Sequence, residues 1–339
     1  TKDLSRHVRH LERVAALKEV TVAGVDCGTN SIRLLISRPA GTDETTGAVA
    51  DPTAPLADVV REMRVVRLGE GVDATGAFSD AALERTFAAV DEYARLVQRH
   101  HAGRVRFVAT SASRDVSNRA AFVDGVRERL GVEPEVVSGA EEAALSFAGA
   151  VSAVETADLG PEDLVLVVDL GGGSTEFVME GHAVSTQMGC VRITERIMHT
   201  DPPTADETAA ARAFVDERIA DASDAVPFAD ARCFVGCAGT FTTLSALAQE
   251  LGSYDPERIH LSEIPFDRLR DVTADLRSKT AAQRRENPVV HPGRADVIAA
   301  GATVVEQLMD FFERAASATG FIISEKDILD GIVAGLAQD

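Results

Sequence analysis

Apolar residues fall into two rhythms along the chain, short unbroken runs and stretches that repeat every three or four positions. Leu4, Val8, Leu11, Val14 and Leu17 follow the second rhythm and predict an amphipathic helix at the start. Thr21 to Val25 is a buried strand that ends at Asp26; Cys27-Gly28-Thr29 reads as a tight turn and Ile32 to Ser37 as the antiparallel return. Ala40 to Ala57 is rich in Gly, Thr, Pro and Asp and reads as a loop, with a third strand at Val60 to Leu68. Leu83, Phe87, Val90, Leu96 and Val97 mark one face of a helix over Asp80 to Arg99. A strand at Val105 to Ala109 leads into the polar turn Thr110-Ser111-Ala112-Ser113-Arg114. A helix over Arg119 to Leu130, a short extended piece at Glu135 to Val137 and a helix over Ala140 to Val154 follow.

The second half opens like the first. Leu164 to Val168 is an apolar strand ending at Asp169, Gly171-Gly172-Gly173-Ser174 is a turn, and Thr175 to Met179 runs back. At a constant offset of 143 residues, Asp26 aligns with Asp169, Gly28 with Gly171, Ser31 with Ser174 and Arg33 with Glu176. Two hairpins of one design imply an internal duplication. Thr156 to Glu162 is the boundary that composition favours. Beyond it the pattern predicts a strand at Cys233 to Val235 and helices over Gly239 to Glu250 and Ala295 to Phe312. A strand at Phe321 to Ile323 and a closing helix over Asp327 to Leu336 complete the reading. The expected units are residues 20–155 and 162–324, with a helix at about 325–339 packing back on the first.

Composition narrows the function classes. The chain has 339 residues, 34 Lys+Arg against 54 Asp+Glu, and a formal net charge of −20. That argues against a general nucleic-acid coat or a binder of anionic membranes, both of which need a broad basic face, though not against a local anion pocket. Lys accounts for only four of the basic residues, so basic sites here are mainly Arg forks suited to phosphate or carboxylate. The four cysteines, Cys27, Cys190, Cys233 and Cys237, match no zinc spacing and are too sparse for a disulfide scaffold, as expected of free thiols in a cytoplasmic protein. No apolar run approaches the ~18 residues of a membrane span.

A strand-end Asp followed by a glycine turn has a definite capability. Glycine permits close backbone approach, successive N–H groups can cradle phosphate oxygens, and the carboxylate can hold hydrated Mg²⁺. Either hairpin alone is equally consistent with a plain turn between buried strands. Two copies could clamp a phosphate chain between two domains. Paired hairpins of this kind resemble the actin-like ATPase superfamily. Seven ordered motifs are similar to the exopolyphosphatase/guanosine pentaphosphate phosphohydrolase (Ppx/GppA) family. They are Val25-Asp26-Cys27-Gly28-Thr29-Asn30-Ser31 with Arg33, Ala109 to Arg114, Val137 to Ala143, Val168 to Glu176, Met188 to Arg192, Gly236 to Thr240, and Pro292 to Asp296. The likeness spans about residues 20 to 337 and looks closest to short actinobacterial members.

The resemblance implies an α/β fold of two actin-like (RNase H-like) domains with an interdomain cleft. It implies Mg²⁺-dependent release of terminal orthophosphate from inorganic polyphosphate, with another divalent cation as an option. By residue match Glu142 would be the base, with Glu141 a solvated neighbour. Asp26, Asp169 and Glu176 would hold the metal or its waters. Asn30, Ser31, Gly172, Gly173, Ser174 and Thr175 would donate to phosphate oxygens, and Arg33, Arg114 and Arg294 would supply positive charge. His291 is kept outside the site. Long family members continue into further helical domains, and Ile328-Leu329-Asp330-Gly331 replaces a frequent Arg-Glu-Gly near the end. A two-domain cleft with this net charge suggests preference for short chains. Open alternatives are hydrolysis of guanosine pentaphosphate, a small-molecule kinase, and a polyphosphate or (p)ppGpp-binding regulator. A homodimer is also left open.

Overall fold

The computed structural model describes residues 2–51, 53–156 and 164–338. Residues 157–163, where composition favours the boundary, lie outside them. The first half runs α1 (Lys2–Val20), β1 (Val22–Cys27), β2 (Ser31–Pro39), β3 (Leu56–Val65), α2 (Val72–Thr75), α3 (Asp80–Arg99), β4 (Arg104–Ala109), α4 (Arg119–Leu130), β5 (Glu135–Val136) and α5 (Gly139–Thr156). The second runs β6 (Val165–Leu170), β7 (Thr175–Met179), β8 (His182–Thr186), α6 (Cys190–Arg196), α7 (Ala205–Ser223), β9 (Cys233–Cys237) and α8 (Ala238–Ala248). It continues with α9 (Pro256–Ile259), β10 (Ser262–Pro265), α10 (Phe266–Ser278), α11 (Ala281–Arg285), α12 (Ile298–Ala316), β11 (Gly320–Ser324) and α13 (Ile328–Gln338).

The duplication is visible in the sheets. The first has strand order β3-β2-β1-β4-β5; the second has β8-β7-β6-β9-β11 in the same order, with β10 added at the far edge. In each, an antiparallel hairpin is followed by strands parallel to its first member, β4 beside β1 and β9 beside β6. The fully buried strands β1 and β6 are unbroken apolar runs because helices cover both faces. Helices α3 and α4 cover one face of the first sheet through Phe107, Phe122, Val90 and Tyr93, whose hydroxyl donates to Ile32 O at 2.9 Å. On the other face Val22, Leu35 and Val108 meet Ile328, Leu329, Ile332 and Val333 of α13. Helix α5 packs through Ala150 and Val151 on Val165, Val167 and Val235 of the second sheet. The largest core lies on that sheet's other face, where Phe312 of α12 meets Phe228, Phe234 and Phe321.

The structure differs from the sequence reading in three ways. Asp26 and Asp169 lie inside their strands, because the ladders Asp26↔Arg33 and Asp169↔Glu176 carry pairing past them to Cys27 and Leu170. β3 starts at Leu56, inside the expected loop, because pairing with β2 extends to Pro39↔Leu56 across an irregularity at Ile36/Ser37. Elements β8, α6, α7, β10 and α10 fill stretches to which the apolar pattern assigns none. β8 is a largely exposed edge strand, and α7 buries small Ala and Thr beside Val215 and Ile219, so neither presents a strong apolar rhythm.

Candidate active site

The C-terminal ends of the parallel strands open into one cleft. This is where ligands reach an open α/β sheet, because loops and helix N-termini converge there. Five strand ends contribute: Gly28 to Ser31 after β1, Thr110 and Ser111 after β4, Gly171, Gly172 and Ser174 after β6, Ala238 to Thr240 after β9, and Ile328 after β11. The two hairpin turns touch. A Cβ on Gly172 would lie 3.0 Å from Thr29 Cβ, and one on Gly173 would lie 2.5 Å from Ser111 Oγ and 2.7 Å from Thr29 Oγ1. Only glycine admits this approach of one turn to the other.

Asn30, Ser31, Gly172 and Ser174 line the cleft as expected from the sequence. Gly173 borders a neighbouring cavity instead. Thr175 is turned away: its buried hydroxyl donates to Met188 O, which fixes the turn rather than facing the cleft. Glu142 is in the first turn of α5, where a carboxylate is favoured by the N-terminal dipole, and is 7% exposed at the cleft wall. Arg114 reaches it with Nη2 and donates through Nε to Val137 O at 3.0 Å. Arg114 therefore orients Glu142 and does not line the cleft. Glu141 points outward and accepts from Ser138 N at 2.8 Å, capping the helix.

The corresponding cross-strand stations of the hairpins carry opposite chemistry. In the first, Arg33 donates Nε and Nη2 to Asp26 Oδ2 at 3.0 and 2.7 Å. Its Nη1 donates to Asp327 Oδ2 at 2.5 Å. Arg33 lines the cleft as expected from the sequence, and its charge is shared there with two carboxylates. Asp26 also lines the cleft and accepts from the guanidinium through Oδ2 alone, while burial raises its carboxyl. In the second hairpin, Glu176 takes the place of Arg33, so two acids face each other across the ladder. Burial raises the Asp169 carboxyl to about 8, helped by the charges of Asp327 and Glu176. Burial likewise raises Glu176 to about 7, against hydrogen bonds from Ser185 and Ser174. Ser146 donates to Asp169 Oδ2, and Ser185 Oγ donates to Glu176 Oε1 at 2.6 Å.

Among the described residues no three of Asp, Glu, His and Cys form a ready metal cage. The acid pair has the chemistry of a site with too little positive charge. Mg²⁺ commonly binds one or two carboxylates and completes its shell with water and phosphate oxygens, so Asp169 with Glu176 behind it fits such an ion. Arg294 is the complementary feature. Burial pushes its pKa down against the nearby charge of Glu325, and among the described residues no carboxylate lies within salt-bridge distance of it. Its guanidinium lies over Gly239, where a Cβ would come within 2.3 Å of Cζ. There it lines both the cleft and a second cavity beside it.

Asp327, Thr29, Ser111 and Ser146 belong to this region but were not selected from the sequence. Ser146 carried a signal, since it lies four residues after Glu142 on one helix face. Thr29 and Ser111 stand inside the motifs. Asp327 follows a strand as Asp26 and Asp169 nearly do, yet reads simply as a helix start. His291 lies outside the cleft, where its Nδ1 accepts from Gly293 N at 3.0 Å. All four cysteines are free and buried, and Cys190 also lines the cleft.

The model of the Ppx/GppA phosphatase family matches residues 48–336. The chain belongs to the Ppx/GppA family. Exopolyphosphatase 2 of Mycobacterium tuberculosis is 49% identical over 325 residues, covering 93% of this chain and 98% of that protein. The crystal structure of an exopolyphosphatase-like protein is 42% identical, with a TM-score of 0.86 over 94% of this chain and 98% of the other. The PPX-GPPA enzyme of Aquifex aeolicus is 27% identical, with a TM-score of 0.73 over 94% and 99% of the two chains. This family member is a phosphoanhydride hydrolase of two actin-like domains. No helix among its described residues is long and apolar enough to cross a membrane.

Proposed function

We propose that this phosphatase is an exopolyphosphatase, releasing orthophosphate from the end of inorganic polyphosphate. The observation that carries the reading is the cleft itself. Two donor-rich turns face each other, with Glu142 on the wall and the unpaired Arg294 at its edge. The backbone N–H groups and hydroxyls of Asn30, Ser31, Gly172 and Ser174 hold the terminal phosphoryl group, and Arg294 takes the phosphate behind it. Glu142, oriented by Arg114, accepts a proton from water as the water oxygen attacks the terminal phosphorus. The bond from phosphorus to the bridging oxygen breaks, and the shortened chain leaves with that oxygen. Phosphoryl transfer asks the protein chiefly for positioning and charge stabilisation, which these groups supply.

Asp169 and Glu176 would hold Mg²⁺ or its waters. A bound ion would neutralise charge on the phosphate oxygens. The net charge of −20 opposes long-range attraction of a polyanion, which favours short or moderate chains held by local contacts. Four buried free thiols suit a reducing cytoplasm. A second reading, hydrolysis of guanosine pentaphosphate, is favoured by the second cavity. Tyr254, Pro256, Val289 and Pro292 line it beside Arg294, an apolar environment suited to a base or sugar.

The experiment is a phosphate-release panel over polyphosphates of graded length, guanosine pentaphosphate and ATP, with and without Mg²⁺. Metal-dependent release from polyphosphate is expected. Release only from guanosine pentaphosphate would transfer the assignment to the second reading, and release from none of them would remove both.

A further inference from the structure

A continuous path of hydrogen bonds joins the two phosphate-binding turns on the outer side of the cleft. It starts at the first turn, where Asn30 O accepts from Val66 N at 3.0 Å and Arg67 N at 2.9 Å, and Thr29 O accepts from Gly69 N at 2.8 Å. The segment held this way, residues 66–76, arches from the first unit to the second. Arg67 Nη2 donates to both carboxylate oxygens of Asp296 at 2.6 Å. Gly71 N donates to Glu195 Oε1 at 3.1 Å. Asp73 accepts from Arg192 Nη1, from Arg196 Nε, and from Arg196 Nη2 at 2.6 Å. The path then closes on the second turn. Gly172 O accepts from Val191 N at 2.9 Å and Arg192 N at 3.1 Å, and Gly173 O accepts from Arg192 Nε at 2.8 Å.

The segment's conformation fits this task. Arg67 has φ 51°, a left-handed backbone that a side-chain-bearing residue adopts only when its surroundings enforce it. Gly69 lies so close to the first turn that a Cβ there would come within 2.3 Å of Thr29 Cγ2. The segment is therefore fitted to the first turn on one side and paired ionically with α6 and Asp296 on the other.

We infer that residues 66–76 form a clasp between the two units that sets the spacing of the phosphate-binding turns, with Asp73 and Arg67 as its positioning residues. Neither residue lines the cleft. Their effect falls on how well both turns engage one phosphate chain, and the inference rests on the phosphate-binding role proposed above. The pairs are partly exposed, with side chains of Asp73 and Arg196 20% and 46% accessible, so salt weakens them.

The test has one readout independent of turnover. Spin labels at Ala121→Cys and Ala210→Cys, on exposed helix positions of the two units, report interdomain distance by pulsed dipolar spectroscopy. The native cysteines are buried and free. The Arg67→Ala/Asp73→Ala protein should show a distance distribution that is longer or broader than wild type. With polyphosphate its KM should rise about tenfold while kcat stays within about twofold, and Asp73→Glu should restore much of the KM. High salt should raise the wild-type KM more than that of the variant. If the double variant fails to fold, each single substitution is read the same way. Unchanged distances overturn the clasp, and a changed distance with unchanged KM overturns its role in positioning the turns. Failure of the wild type to hydrolyse polyphosphate would remove the proposed function, while the distance measurement would still judge the clasp.

Discussion

Arg33 and Glu176 stand at the same station of two related hairpins, and their difference divides the work between them. Arg33 bridges Asp26 and Asp327, so the first hairpin holds an internal cation beside its acids. Glu176 adds a second buried acid beside Asp169 and leaves the second hairpin in want of a cation. Glu142 tests the chemistry directly. Glu142→Gln should lower turnover by about 10² or more, the usual scale for loss of a general base, with little change in KM. Glu141→Gln should leave turnover near wild type, because Glu141 faces solvent and caps its helix. Steady-state phosphate release compares the two, and normal turnover in folded Glu142→Gln would end its assignment as base. Arg294→Ala should raise KM about tenfold or more, since hydrogen bonds to charged groups contribute roughly 1.5–3 kcal/mol. Arg314, exposed on α12, provides the control; equal KM changes in Arg314→Ala and Arg294→Ala would take Arg294 out of the anion site.

At the scale of elements, the two helices between the sheets are locked by glycine. Helix α5 leaves the first unit, α13 returns to it, and they cross where a Cβ on Gly149 would lie 1.8 Å from Asp327 O. A Cβ on Gly331 would lie 2.0 Å from Leu145 O. Both obstacles are backbone, so a methyl group there must move a helix. Gly149→Ala should destabilise the protein by about 1–3 kcal/mol, the usual cost of overpacking, despite alanine's higher helix propensity. Gly335→Ala, in the partner helix α13 and with only Arg106 Nη1 at 3.7 Å, should instead stabilise by about 0.5–1 kcal/mol. Chemical denaturation measures both signs, and similar signs at the two positions would refute the crossing as the reason for Gly149. Sequence periodicity finds α5 and α13 as helices, but it contains no trace of where they cross.

At the scale of the whole molecule, the buried acids couple stability to pH. Asp169 and Glu176 have folded-state pKa values raised above those of the unfolded chain, so the folded protein binds more protons between the ordinary carboxylate range and about pH 8. Their contribution is present in full below the unfolded values and is lost as pH rises through about 7 to 8. In the presence of a chelator, Tm should therefore fall between pH 6 and 9, and Asp169→Asn should flatten the fall. Mg²⁺ should recover wild-type Tm at the upper end but do little for Asp169→Asn. A wild-type Tm independent of pH and Mg²⁺ in this window would refute the acid pair as a cation site. The same net charge that keeps the molecule acidic should oppose retention of a long polyanion between cuts. Gel analysis of long-chain hydrolysis should accordingly show a ladder of intermediates, and disappearance of full-length chains without a ladder would establish processive action instead.

The sequence carried the duplicated hairpin design, the order of most strands and helices, and the family's motifs. These are local properties, carried by apolar runs, glycine turns and residue spacing. It also brought Asn30, Ser31, Gly172, Ser174, Glu142 and Arg294 to one cleft, because each lies in or beside a motif at a strand end or helix start. What each charge does there was decided only by tertiary structure. Arg33 is occupied because Asp327, almost 300 residues later, returns just ahead of α13 to meet it. Thr175 is turned inward by the backbone of Met188. Arg114 serves Glu142 rather than lining the cleft, and Asp73 reaches α6 across the two units. Ionic and hydrogen-bond partners depend on distance in space, which a one-dimensional pattern of residue types does not encode.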